Sequence, residues 1–137
     1  MGFTLRGHTA DVAVEATGPD LSAVFGAVAD GLAAAMCDDI PSAGGERFAV
    51  EVTAENREAL LFDYLDELIY ERDVRNVLPV DNDAAVREEA DRWAVEATAR
   101  GVDLAAVDAR DIKAVTYSEM RLEPTDHGWI AYVVFDV

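Results

Sequence analysis

The feature that most constrains this chain is a short alternating stretch near its start, answered by an apolar run at its end. From Ala10 to Ala16 the residues Ala10, Val12, Val14 and Ala16 alternate with Asp11, Ala13 and Glu15. A period of two puts one set on a core and the other outside it, as in a half-buried strand. Gly7, His8 and Thr9 precede it and read as a turn, which bunches His8, Thr9 and Asp11 where a strand end opens to solvent. Residues 129–137, Trp-Ile-Ala-Tyr-Val-Val-Phe-Asp-Val, are apolar on both faces until Asp136. A carboxylate therefore stands at the end of each strand.

Between them the pattern changes period. Asp20 is a candidate N-cap for a helix carrying Leu21, Val24, Phe25, Val28, Leu32, Ala35 and Met36 at helical spacing, ending near Cys37. Asp38 to Gly45 reads as loop by its Pro and Gly content, and Phe48 to Thr53 alternates as a strand. A second helix is expected from about Asn56 to Asp73, its buried stripe formed by Leu60, Leu61, Tyr64, Leu65, Leu68 and Ile69, with Asp63, Asp66, Glu67 and Glu71 on its flanks. Pro79 and Asp81-Asn82-Asp83 suggest a turn, Trp93 to Ala99 a strand, and Gly101 to Asp111 a loop or short helical turn. Ile112 to Leu122 and the terminal run, joined by Glu123 to Gly128, read as an antiparallel hairpin. The expected architecture is an α/β chain of the α+β two-layer kind, with two helices packed on a mixed, mostly antiparallel sheet. At 137 residues it is expected to form a single domain over residues 1–137.

Composition narrows the function. Lys and Arg total 11 against 28 Asp and Glu, a formal net charge of −17, and Lys113 is the only lysine. Arg almost wholly replacing Lys in so acidic a chain suggests a halophilic cytoplasm, where a short Debye length screens self-repulsion. Unaided nucleic-acid binding is disfavoured, because neutralising phosphates needs a basic patch. No apolar run approaches the length of a membrane span, and no signal sequence is evident, so a cytoplasmic location is expected. Cys37, the single cysteine, allows neither an intramolecular disulfide nor a thiolate metal cage and suits a buried helix end.

Few groups remain to carry chemistry. If the first and last strands are neighbours, Asp11, Asp136 and the terminal carboxylate of Val137 converge, and like charges that close call for a cation or hydrogen bonds. Oxygen ligands suit Ca²⁺ or Mg²⁺ rather than zinc. The bland alternative is two solvated strand-end aspartates. His8 is a candidate base, ligand or turn residue, and His127 sits in an exposed Asp-His-Gly turn. Lys113 is either salt-bridged to nearby acids or functional. There is no Gly-rich phosphate loop, nucleophile elbow or poised Cys/His pair.

Four segments in order, His8-Thr9-Ala10-Asp11-Val12, Leu60 to Tyr70, Lys113-Ala114-Val115-Thr116-Tyr117 and Val134-Phe135-Asp136-Val137, resemble the archease family from about residue 5 onward. The resemblance implies an accessory protein rather than an enzyme. Such a protein activates the RtcB-type RNA ligase of tRNA splicing, promoting its guanylylation and turnover and broadening its nucleotide use. It further implies a divalent-metal site, usually Ca²⁺ with Mg²⁺ or Mn²⁺ as alternatives, at Asp11, Asp136 and Val137, and roles in activation for Lys113 and His8. tRNA halves would be met only through the ligase, and no membrane is involved. Two positions depart from the family pattern: Ser118 stands where archaeal members commonly have histidine, and Asp66 precedes Glu67 where Asn is frequent. A general chaperone or interaction module is the main alternative, and a metal-dependent phosphohydrolase a lesser one.

Overall fold

The structure, a computed structural model, describes residues 2–8 and 11–137, with Gly7 and His8 described by backbone alone. Its elements are β1 (Phe3–His8), β2 (Asp11–Gly18), α1 (Leu21–Met36), β3 (Glu46–Ala54), α2 (Arg57–Arg75), β4 (Val77–Glu88), β5 (Trp93–Asp103), β6 (Ala114–Thr125) and β7 (Gly128–Asp136). They form two sheets, β1-β2-β7-β6 and β3-β5-β4, and every ladder described is antiparallel. The α+β character holds, with two sheets in place of the one mixed sheet expected.

Both helices begin where the capping residues put them. The Asp20 carboxylate accepts from the Ala23 N–H at 2.8 Å, and the Asn56 side chain accepts from the Ala59 N–H at 2.8 Å. These bonds satisfy backbone donors that the first helical turn leaves without partners. α1 buries Val24, Phe25, Val28, Leu32 and Met36, and α2 buries Leu60, Leu61, Tyr64, Leu65, Leu68 and Ile69. Each helix packs on strands of both sheets, so a single apolar cluster runs from Val14 and Phe135 to Val50, Leu78 and Val95. Cys37 is buried at the end of α1, as its type suggested. Among the described residues no helix is long and apolar enough to cross a membrane.

Four local readings change. β1 is an additional strand that runs through Gly7 and His8, where the residues suggested a turn. Asp81 to Asp83 makes a bulge within β4, not a turn between elements; Asp81 takes φ 48°, and the register shifts between Val80 and Asp83. Pro79 lies in the same strand, which is tolerated because β4 is an edge strand paired on one side only, where a missing N–H need not break a ladder bond. β5 continues to Asp103 before a single 3₁₀ turn at Leu104–Ala106. The last hairpin is tighter than read: Thr125 pairs with Gly128, leaving Asp126 and His127 as its turn. Gly128 has φ +150°, and a Cβ there would collide with the Gly18 carbonyl oxygen, so the tip accepts only glycine without displacement.

Candidate functional site

The alternation in β2 decides which side chains share a face. Val14 and Ala16, with Val133 and Ala131 opposite them in β7, belong to the core cluster, as does Phe135, which is opposite Val12. Asp11, Ala13 and Glu15 therefore lie on the other face of the four-stranded sheet, beside Asp136, Val134 and Tyr132.

The register does the rest. Asp11 pairs directly with Asp136, and the same row continues to His8 on β1 and Ala114 on β6. Residues directly opposite in an antiparallel pair carry Cβ atoms about 4.5–5.5 Å apart, where like charges destabilise each other. On the same face Arg6 is bound to Glu15 at 3.1 Å. Asp11 is partly buried, whereas Asp136 and Val137 are exposed. The two strands expected to be neighbours are thus paired, with Asp11 across from Asp136.

Lys113 is exposed and enters the site through its backbone: its N–H donates to the Asp136 carbonyl at 2.9 Å. The residue before it is fixed from the other side. Arg72 of α2 is only 7% exposed, yet its Nη1 donates to the Ile112 carbonyl at 2.9 Å and to the Met36 sulfur at 3.3 Å. The same guanidinium pairs with Asp73 at 3.0 Å and Asp111 at 3.2 Å. One buried cation thus ties the C-terminal ends of both helices to the segment that leads into Lys113. The sequence reading missed Arg72. Its signal is position: it falls four residues after Leu68 and seven after Leu65, on the apolar stripe of α2, where a cation is out of place.

Of the other expected site residues, His8 lies in the row by its backbone, while its side chain and Thr9 fall outside the described residues. His127 is exposed at the hairpin tip, as read. Ser118 donates its N–H to the Thr116 hydroxyl at 3.2 Å, and that hydroxyl donates to the Val134 carbonyl at 3.0 Å, pinning the bulge of β6. Among the described residues no group of three or more His, Cys, Asp or Glu side chains is placed to hold a metal ion. The described side chains offer two opposed carboxylates, an all-oxygen pair of the kind a hard divalent cation accepts, with further oxygens needed to complete its shell.

Fold and site together define a small α+β protein that presents paired carboxylates and a lone lysine at one end of a sheet. The chain belongs to the archease family: the model of the archease protein family matches residues 3–137. The archease of Thermococcus gammatolerans is 34% identical over 95% of this chain and 94% of its own length. That of Methanothermobacter thermautotrophicus is 32% identical over 99% of each chain. The solution structure of Methanobacterium thermoautotrophicum protein 1598 superposes with a TM-score of 0.87 at 31% identity, covering 99% of both chains. An archease of Thermotoga maritima, described as a possible chaperone, shares the fold with a TM-score of 0.64 at 21% identity, covering 96% of this chain and 94% of its own. The resemblance carried by the four segments is borne out.

Proposed function

We propose that this protein is an accessory factor that activates an RtcB-type RNA ligase by promoting guanylylation of the ligase, with turnover and broader nucleotide use following from that step. The observation that carries the reading, beside family membership, is the direct opposition of Asp11 and Asp136 next to a backbone-anchored Lys113. Asp11 and Asp136 would hold Ca²⁺, or Mg²⁺ or Mn²⁺ in its place, with Val137 as the expected third ligand. When bound, the ion supplies positive charge for phosphate oxygens. Lys113, held at its backbone by the Asp136 carbonyl, would supply a second cation suited to the negative charge that develops in phosphoryl and nucleotidyl transfer. His8, in the same row, completes the group of residues assigned to activation. The net charge of −17 favours approach to the basic rim of an RNA-binding cleft, so tRNA halves are met through the ligase.

The test is guanylylation of the partner ligase with labelled GTP, with and without this protein. The wild type should speed the step, and the Asp11→Asn/Asp136→Asn double variant, folded by circular dichroism, should lose at least tenfold of that stimulation. In parallel, Ca²⁺ should raise the melting temperature of the wild type and not of the variant, since a ligand at 100 times its Kd stabilises by about 2.7 kcal/mol. Full stimulation by the variant would remove the carboxylates from the mechanism. Suppression of aggregation of unrelated clients, indifferent to Asp11 and Asp136, would support a chaperone instead.

A further inference from the structure

The core uses only half of α2. Its outer half presents Tyr70 and Val74, 56% and 58% exposed, with Asp63, Asp66 and Asp73 also exposed. Tyr117, 55% exposed on β6, stacks on Phe62 with ring centroids 4.1 Å apart and planes within 9°, which extends this surface sideways. Phe62, Asp66, Tyr70 and Val74 follow at intervals of four and so form one ridge about 18 Å long, with Asp63 and Glu67 beside it. Three of the five large hydrophobic side chains most exposed among the described residues (Leu5, Tyr70, Val74, Tyr117 and Val137) lie on this surface.

The ridge is also negatively charged in a way its own arginines do not offset. Arg72 is turned into the core, and Arg75 is bonded to Glu71 at 2.6 Å and lies 4.5 Å over the Phe48 ring. Partial desolvation, and after it the neighbouring Asp66, hold the Asp63 carboxyl above its ordinary range. Glu67 is raised likewise by desolvation, then by its contact with Glu71 and the charge of Asp66. The ridge adjoins the strand that follows Lys113, because Tyr117 of β6 stacks on Phe62.

We propose that this ridge is the surface by which the protein docks on its partner, and that the partner meets it with arginine side chains. Exposed aromatic faces flanked by carboxylates suit a guanidinium, which stacks on the ring and donates bidentate hydrogen bonds from its edge to the carboxylates. Charge decides among occupants: nucleic acid, an anionic membrane surface and a second copy of a chain at −17 are all repelled. The proposal rests on the ligase-activator reading and adds the docking face.

Binding of the purified ligase to the full chain should be measured by calorimetry, alongside the guanylylation assay. One variant, Asp63→Asn/Asp66→Asn/Glu67→Gln, removes three charges from the ridge, and a second, Tyr70→Ala/Val74→Ser, removes its exposed apolar groups. A third, Glu88→Gln/Glu123→Gln/Asp126→Asn, removes three exposed charges elsewhere. The two ridge variants should bind at least tenfold more weakly and the third within twofold of wild type, while Asp11→Asn/Asp136→Asn still binds. Wild-type affinity in the ridge variants, or equal loss in the third, overturns the docking face and leaves the activator reading standing. A wild-type chain that neither binds the ligase nor speeds guanylylation overturns both.

Discussion

Arg72 stands where the stripe of α2 calls for an aliphatic residue, and its surroundings explain why a buried cation is tolerated. Its carboxylate partners Asp73 and Asp111 are 63% and 69% exposed, so they stay hydrated if the guanidinium is removed. Arg72→Met keeps volume and apolar contact but leaves the buried Ile112 carbonyl without its charged donor, at a cost of about 1–3 kcal/mol. Urea unfolding should report that loss, while stimulation of guanylylation falls by about tenfold because the segment before Lys113 is no longer held. An unchanged stimulation would reduce Arg72 to packing. Asp11 and Asp136 teach a complementary lesson. Asp11 was legible as a strand-end carboxylate from alternation and Asp136 from the apolar run it ends, but their opposition depends on a register across more than a hundred residues, which no local pattern encodes.

At the scale of elements, local chemistry was read most faithfully where it acts over three or four residues. Asp20 and Asn56 cap the helices they were expected to start or precede, because a capping bond spans only to the third residue on. Pro79 and Asp81 to Asp83 misled for the same reason: they are turn formers locally, yet the ladder with β5 carries the chain through them as a bulged edge. Gly31 shows packing overriding propensity. In an isolated helix Gly31→Ala would stabilise by about 1 kcal/mol. Here a Cβ would strike Val14 Cγ1 of β2 and crowd Phe3, so overpacking of about 1–3 kcal/mol should outweigh the gain. A lower urea midpoint for Gly31→Ala confirms that close approach of α1 to the sheet, and a higher one refutes it.

For the whole molecule, charge is the dominant global term. Several arginines sit in exposed ion pairs, such as Arg92 with Glu89 at 2.7 Å and Arg110 with Asp38 at 2.7 Å, and such pairs contribute little each. With 28 acids against 11 basic residues, repulsion among the remainder opposes the compact state. Raising KCl from 0.1 M toward 1 M shortens the Debye length from about 10 Å to about 3 Å and should raise the melting temperature by several degrees. A fall with added salt would show that the ion pairs outweigh the repulsion. What the sequence determined by itself was whatever depends on near neighbours: two amphipathic helices and their caps, the alternating strands, the two terminal carboxylates and the acidic surface. Only the tertiary structure decided that β2 and β7 pair with Asp11 against Asp136, that the strands divide into two sheets, and that Arg72 anchors the approach to Lys113. Those choices are made by burial and hydrogen bonding between segments far apart in the chain, where closing the loop and filling the core select one register among many.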